Sequence, residues 1–242
     1  MSNQHGPEGH HPGRARRTVQ AVRPYVRPGS FPLLLIASLL LYVLTGLVFD
    51  STADSILVLL GRVVVACAGI YVLSASRTTL WLGVLVVAVL MTFEAQLWTL
   101  DDPRVGWVWR DAIATGFLLW VFAVVIREVF RPRTTELNAV VGALCGFLLI
   151  LMAFMRVHGL IEAVRPGSYH TDGTPFSERS YAMLLASFQY FSTVTLTTVG
   201  FGDIVPVTPA ARLATGLEAI VGQLYLAVVI ATLVGRVAAR RE

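Results

Sequence analysis

The run Thr197–Asp203, with the sequence TTVGFGD, is the part of this chain whose residue types and spacing predict chemistry. Its two glycines can adopt positive φ at little cost. A backbone that alternates between left- and right-handed conformations can direct successive carbonyl oxygens toward one axis, which a regular strand cannot do. Such a row of oxygens can replace the water shell of a cation. The residues expected to bind the ion are Thr198, Val199, Gly200, Phe201 and Gly202.

This run resembles the selectivity filter of the potassium-channel superfamily, whose TVGYG sequence selects K⁺ through backbone carbonyls. Phe201 replaces the commoner tyrosine. The resemblance implies that K⁺ is the permeant ion and that the Thr198 hydroxyl supplies the innermost oxygens. The alternative is a glycine-rich turn between two membrane helices, which does not explain the two threonines before the glycines or Asp203 after them. The resemblance also implies which residues hold K⁺: Thr198, Val199, Gly200 and Phe201.

Side chains around the run extend the resemblance. It implies that Tyr190 and Phe191 form an aromatic cuff that holds the filter at its working diameter, and that Asp203 is the carboxylate that follows the filter. In some family members a glutamate on the pore helix pairs with this aspartate, but Val194 occupies the matching position here. A hydrogen bond from the Tyr190 hydroxyl to Asp203 is one substitute for that pair. The other interpretation is that Tyr190 only packs.

Composition indicates a membrane protein. Hydrophobic residues make up 55% of the chain and charged residues 14%, and the mean hydropathy is +0.69, which excludes an ordinary soluble domain. We therefore predict an all-α membrane protein with six transmembrane helices. The predicted spans are Phe31–Phe49, Ser55–Leu73, Thr79–Trp98, Asp111–Ile126, Asn138–Met155 and Ala211–Gly235.

Charge placement predicts orientation and domain organisation. An even number of spans puts both termini on one side, and the arginine-rich loops and tails on that side predict that it is cytoplasmic. Residues 1–30 are expected to form a disordered basic tail that can touch membrane lipid. Residues 31–130 are expected to form a peripheral four-helix unit, and residues 131–242 the pore domain. The net charge of +4 is a topological signal, so no nucleic-acid partner is predicted.

The segment between the last two spans predicts a re-entrant pore loop. Gly159–Arg179 is a polar turret, and Ser180–Thr197 is apolar at helical spacing. Non-helical backbone at membrane depth must be surrounded by protein, so the filter has to be lined by other copies of the chain. One chain supplies one filter strand. The predicted assembly is therefore a homotetramer with one central pore.

The last span carries three further candidate residues. Gly222 matches the family's gating-hinge glycine, although glycine in membrane helices is equally often a close-packing residue. Gln223 follows on the face expected to line the cavity. Glu218 is an ionisable residue inside a span and so a functional candidate. We expect it to support the filter through a bond to a pore-helix hydroxyl, of Ser192, Thr193 or Thr197, rather than to contact the ion.

The first four spans do not predict a voltage sensor. A sensor helix carries regularly spaced arginines, whereas Thr115–Ile126 in the fourth span is uncharged. Arg62 in the second span and Glu94 in the third are expected at similar depth, where an ion pair would satisfy both charges. The alternative is that Arg62 extends to the outer interface while Glu94 faces a wet crevice.

The sequence thus predicts a K⁺-selective channel in a cell membrane that conducts passively without strong voltage gating, and the bacterial inner membrane is the expected location. A weakly selective cation channel, or a non-conducting scaffold or sensor subunit with the pore fold, is the alternative. No cofactor is predicted besides K⁺ as the permeant ion. The sequence shows no cluster of catalytic or metal-ligating residues, so we do not predict an enzyme.

Overall fold

The structure, a computed structural model, describes residues 30–47, 52–73, 80–81, 83–85, 87–89, 103–131, 134–171, 174–176 and 181–239. Its helices are α1 (Phe31–Gly46), α2 (Thr52–Leu73), α3 (Pro103–Val129), α4 (Glu136–Val164), α5 (Tyr181–Leu196) and α6 (Pro209–Ala239). Its strands are β1 (Tyr169–Thr171), β2 (Thr174–Pro175) and β3 (Ile204–Pro206). The predicted tail lies outside the described residues apart from Ser30. So does most of the third predicted span, whose described pieces are helical.

Three helices in the described part of the chain are long and apolar enough to cross a membrane. They are Gly106–Val129 in α3, Glu136–Val164, which is α4, and Pro209–Gly235 in α6. Helix α1 is apolar but has 16 residues, so it is about 24 Å long, less than the ~30 Å of a hydrocarbon core. The chain is thus a mostly helical, multi-pass membrane protein. The count of six spans stays a prediction.

Helix α4 is the centre of the packing, because it contacts α1, α3, α5 and α6. Its largest interface is with α3, on which Phe117, Val121 and Val125 repeat every four residues and form one buried stripe. Leu149 of α4 and Leu34 of α1 are in the same core cluster. These contacts hold the peripheral helices against the helix that supports the pore segment.

A buried ion cluster joins α3 to α4. The Asp111 carboxylate lies 2.9 Å from Arg156 Nη1 and 3.5 Å from Arg110 Nε, and all three residues are buried. Charges in such a setting are stable only when paired, so this cluster fixes the relative position of the two helices. This cluster is not the predicted Arg62–Glu94 pair. That pair stays a prediction, because Glu94 and the Arg62 side chain lie outside what the structure describes.

The predicted polar turret contains elements that an all-α assignment does not include. Helix α4 continues to Val164, well past the predicted end of the fifth span at Met155. The Glu162 carboxylate then accepts hydrogen bonds from the backbone N–H groups of Gly167, Ser168 and Tyr169, at 2.7, 2.9 and 3.2 Å. One acidic side chain therefore satisfies the turn that starts the first strand.

The three strands form one small antiparallel sheet in the order β2-β1-β3. Tyr169 in β1 pairs with Pro206 in β3, and Thr171 pairs with Ile204. Strand β3 begins directly after Asp203, so the sheet anchors the exit of the TTVGFGD run to the end of α4. The sheet is a local clamp on an otherwise helical fold.

Candidate ion-binding site

Helix α5 presents the TTVGFGD run. It spans Tyr181–Leu196, within one residue of the predicted Ser180–Thr197 at each end. Leu184, Leu185, Phe188 and Phe191 form a buried face at helical spacing, which packs on the turret cluster that includes Tyr169 and Phe176. This face fixes the direction in which the helix delivers the following loop.

The loop N–H groups cap the C-terminal end of α5. Val199 N and Gly200 N both donate to the Val194 carbonyl oxygen, at 2.8 and 3.1 Å, which satisfies an acceptor that a helix end otherwise leaves free. In a trans peptide the carbonyl points opposite to the following N–H. The carbonyls of Thr198 and Val199 therefore point away from the helix. This is the arrangement that frees loop oxygens to bind an ion.

Positive φ alternates along the loop. Thr198, Gly200 and Gly202 have φ of 61°, 57° and 77°, while Val199 and Phe201 between them stay at negative φ. The sequence predicted this conformation for the two glycines but not for Thr198, where a β-branched side chain makes it costly. A Cβ placed on Gly200 or Gly202 would meet no atom within 4 Å. Glycine is thus needed there for conformation, not for space.

The loop is open in a single chain. Val199 and Phe201 are 54% and 68% exposed, and every residue from Thr197 to Asp203 is in the exposed class. The large apolar side chains of Leu213, Leu217 and Ile220 on α6 are exposed as well. Exposed non-helical backbone with free carbonyls is not stable against lipid. The loop therefore needs further protein around it.

The two residues of the predicted aromatic cuff have different surroundings. Tyr190 faces the loop: its ring is parallel to that of Phe201, with centroids 6.3 Å apart, and its hydroxyl lies beside the Asp203 carboxylate. Phe191 instead packs edge-on against His158, with centroids 5.0 Å apart, and is 4% exposed. Of these two residues, Tyr190 is the one that contacts the loop in the single chain, and its place beside Asp203 is compatible with the hydrogen bond that the sequence offered as one interpretation.

Gln223 and Gly222 meet the pore segment at different points. The Gln223 Nε2 amide donates to Thr198 Oγ1 at 3.3 Å, so the predicted cavity residue contacts the predicted innermost oxygen ligand. A Cβ built on Gly222 would overlap the Leu196 carbonyl oxygen. The structure therefore gives Gly222 a close-packing role against the end of α5, the second of the two interpretations that the sequence allows.

Glu218 lies in a buried chain of side chains behind α5. Its Oε2 is 2.8 Å from His158 Nε2, and His158 Nδ1 is 2.6 Å from the Tyr169 hydroxyl. All three residues have 0% exposure. The chain joins α6, α4 and β1 at one point. Burial and the nearby carboxylates of Glu218 and Glu162 raise the pKa of the Tyr169 phenol, so this hydroxyl keeps its proton.

The pore-helix hydroxyls only partly match the expected partners of Glu218. Thr193 donates to the Gln189 carbonyl oxygen at 2.7 Å and Thr197 to the Thr193 carbonyl oxygen at 2.6 Å. Ser192 lies beside the Glu218 carboxylate, but neither its Oγ nor Glu218 Oε1 has a partner at hydrogen-bond geometry. The strong partner is His158, which the sequence analysis did not single out. The one signal in the sequence that points to such a partner is Glu218 itself, because an acidic residue inside a span requires a partner.

Helix α1 also reaches the pore segment. The Tyr42 hydroxyl is 3.1 Å from Thr193 Oγ1, and Gln189 Nε2 donates to the Tyr42 carbonyl oxygen at 2.9 Å. These two bonds connect the peripheral unit to the helix that ends at the loop. The sequence alone predicted no such contact, because 147 to 151 residues separate the partners.

Part of this chain is similar to a known protein family. Residues 168–239 match a family described as "Ion channel", a segment that runs from the first strand through α5, the TTVGFGD run and all of α6. A comparison with curated proteins returns no significant match. Residues 168–239 of this membrane protein are therefore similar to an ion-channel domain.

Proposed function

We propose that this chain is one subunit of a homotetrameric, K⁺-selective channel that conducts passively. The observation that supports it most is the alternation of positive φ at Thr198, Gly200 and Gly202, combined with loop N–H groups that bond back to Val194. Together they leave a row of backbone oxygens facing away from α5. Backbone carbonyls in such a row are the known means of K⁺ selection.

Tetramer formation follows from the open face of the loop. Ions cross the bilayer only where oxygens surround them, and one chain supplies one side of that path. The exposed apolar residues of α6 and the exposed Phe201 provide surface for neighbouring copies around a central axis. In this assembly Gln223 and Thr198 face the cavity below the filter. The dipole of α5 places its negative end next to the loop, which favours a cation.

The peripheral helices support a channel without steep voltage gating. Helix α3 carries no charged side chain between Asp111 and Arg127, so it lacks the charges that a membrane potential would move. In this proposal both termini are cytoplasmic, because the arginine-rich segments lie on that side.

The test is ion flux into liposomes that contain only the purified full-length chain. We expect K⁺ flux well above Na⁺ flux when each is offered under the same gradient, because the site is built from consecutive carbonyl rings. Equal K⁺ and Na⁺ flux would replace the proposal with a weakly selective cation channel. Absence of flux from correctly assembled protein would favour the non-conducting scaffold or sensor subunit.

A further inference from the structure

We infer that His158 and Glu218 form one protonation site that sets the charge behind the conduction loop, residues 197–203, and thereby the K⁺ flux. The inference rests on the proposed function and extends it to two residues that do not touch the ion. It starts from the two short hydrogen bonds on either side of the His158 ring, 2.6 Å to Tyr169 and 2.8 Å to Glu218.

The three hydrogen-bonded side chains Tyr169, His158 and Glu218 together have two charge states. If Tyr169 donates to Nδ1, the neutral ring donates from Nε2 to an ionised Glu218, and the group carries one negative charge. One added proton makes the group neutral. Nδ1 then donates to the Tyr169 oxygen, and either the ring is an imidazolium beside the carboxylate or Glu218 itself is protonated and donates to Nε2. Both states satisfy the same two bonds, so the site can take up a proton without moving its heavy atoms.

The surroundings leave this proton uptake to His158 and Glu218. Tyr169 faces the ring from β1 and stays protonated. Glu162, on the same helix as His158, is held by three backbone N–H groups. Ser192 faces Glu218 from α5 and carries no charge. The rest of the His158 surroundings are the rings of Phe154, Phe188 and Phe191. Within the described residues, His158 is the basic group that contacts Glu218.

The unpartnered oxygens point to the same conclusion. Glu218 Oε1 and Ser192 Oγ are both buried and both lack a partner at hydrogen-bond geometry among the described residues. An unsatisfied carboxylate oxygen in a buried place is costly. Protonation of Glu218 at Oε1 would supply a donor between these two atoms. The site therefore has room for the additional proton on the α5 side as well as on the His158 ring.

The site is positioned to act on the loop. Ser192 lies four residues before the C-terminal end of α5 at Leu196, which is about 6 Å along the helix. Two residues after Ser192, the Val194 carbonyl oxygen holds the N–H groups of Val199 and Gly200. A negative charge behind this helix, in a region that excludes water, attracts a cation in the loop with little screening. Proton uptake removes that attraction.

The experiment measures K⁺ flux in liposomes with equal pH on both sides, from about pH 5 to pH 8.5, a range that brackets the ordinary histidine pKa. We expect wild-type flux to fall roughly threefold to tenfold toward low pH, as the charge is neutralised. Glu218→Gln keeps an acceptor for Nε2 but removes the charge. Its flux should be low and independent of pH. His170→Gln is the control, since His170 is the neighbouring histidine in β1 and is outside the hydrogen-bonded group of His158 and Glu218. The flux of this variant should follow the wild type.

Contrary outcomes are separable. Wild-type flux that is constant over this pH range, or pH dependence that persists in Glu218→Gln, would overturn the inference while leaving a K⁺ channel in place. If Glu218→Gln does not assemble, infrared difference spectra of the wild type decide. A carboxylic-acid or imidazolium band that titrates together with the flux supports the inference, and no such band overturns it. Absence of K⁺ flux at every pH would refute the proposed function itself.

Discussion

The conduction loop and the buried, hydrogen-bonded side chains behind it differ in what determines their structure. The loop is exposed, continuous in sequence and determined by backbone conformation: no atom lies within 4 Å of a Cβ on Gly200 or Gly202. The chain of Tyr169, His158 and Glu218 is fully buried and determined by side-chain hydrogen bonds. Helix α5 separates the two regions and contacts both.

This difference explains which features a sequence can reveal. A backbone-encoded site needs a short contiguous motif, because each residue's conformation depends mainly on its own side chain. A side-chain network is assembled from residues that are distant in sequence, here 11 and 60 positions apart. Its members have no common motif. The loop is therefore recognisable from the sequence, and the network behind it is not.

Gly200→Ala gives the largest expected effect and tests whether conformation alone defines the loop. A Cβ at φ of 57° is disfavoured by roughly 1–2 kcal/mol per residue, or about 4–8 kcal/mol over the four subunits of the proposed tetramer, so K⁺ flux should fall more than about 100-fold. The measurement is liposome flux at matched protein content. Gly116→Ala in α3 is the control, because it is helical and also has nothing within 4 Å. Undiminished flux in assembled Gly200→Ala would remove the loop from the conduction path.

The helices near the loop were predicted well for a related reason. Amphipathic and apolar periodicity is local, so α5 was placed within one residue at each end, and α6, observed from Pro209 to Ala239, starts two residues before the predicted span. Positive φ at Gly200 and Gly202 was confirmed. Each of these features depends on residues that are neighbours in the chain.

The features that were missed depend on hydrogen bonds and contacts to residues that are not adjacent in the sequence. The positive φ of Thr198 results from the capping of α5 by the loop, which overrides the preference of a β-branched residue. Helix α4 continues through polar residues to Val164 because Arg156, His158 and Glu162 find partners on other elements. The small sheet forms because β1 pairs with β3, although α5 and the loop lie between the two strands in the sequence. None of these partners is adjacent in the sequence.

Gly222→Ala tests the joint between the two regions. Its added methyl group would overlap the Leu196 carbonyl oxygen at the end of α5, and overpacking of this kind costs about 1–3 kcal/mol per subunit. We expect a lower melting temperature of the detergent-solubilised protein. Gly216→Ala, two residues from Glu218 and seven from Gln223, is less suitable as a control than the more distant Gly235→Ala. At Gly235 a Cβ meets nothing within 4 Å. Equal melting temperatures for Gly222→Ala and Gly235→Ala would favour the hinge role over packing.

Tyr190→Phe tests whether the Tyr190 hydroxyl helps to hold the loop. The ring stacked on Phe201 is retained, but the hydroxyl beside the Asp203 carboxylate is lost. We expect the ratio of K⁺ to Na⁺ flux to decrease a few-fold. Tyr225→Phe is the matched control: it removes a hydroxyl that donates to the Ala143 carbonyl oxygen, away from the loop. If both variants change selectivity equally, Tyr190 has no special role in holding the loop.

The smallest expected effect concerns Tyr42, where α1 contacts α5. Thr193 has one hydroxyl proton, which it donates to the Gln189 carbonyl oxygen at 2.7 Å, so the Tyr42 hydroxyl is the donor in its 3.1 Å bond to Thr193. Tyr42→Phe removes that donor and leaves the bond from Gln189 to the Tyr42 carbonyl in place. Stability should fall by about 0.5–1 kcal/mol.

A double-mutant cycle with Thr193→Val isolates this contact from other effects of each substitution. If the bond couples α1 to α5, the double variant is less destabilised than the sum of the two single variants, by an amount close to the Tyr42→Phe effect. Additive losses would mean that α1 is held to the pore segment by the Gln189 bond and apolar packing alone.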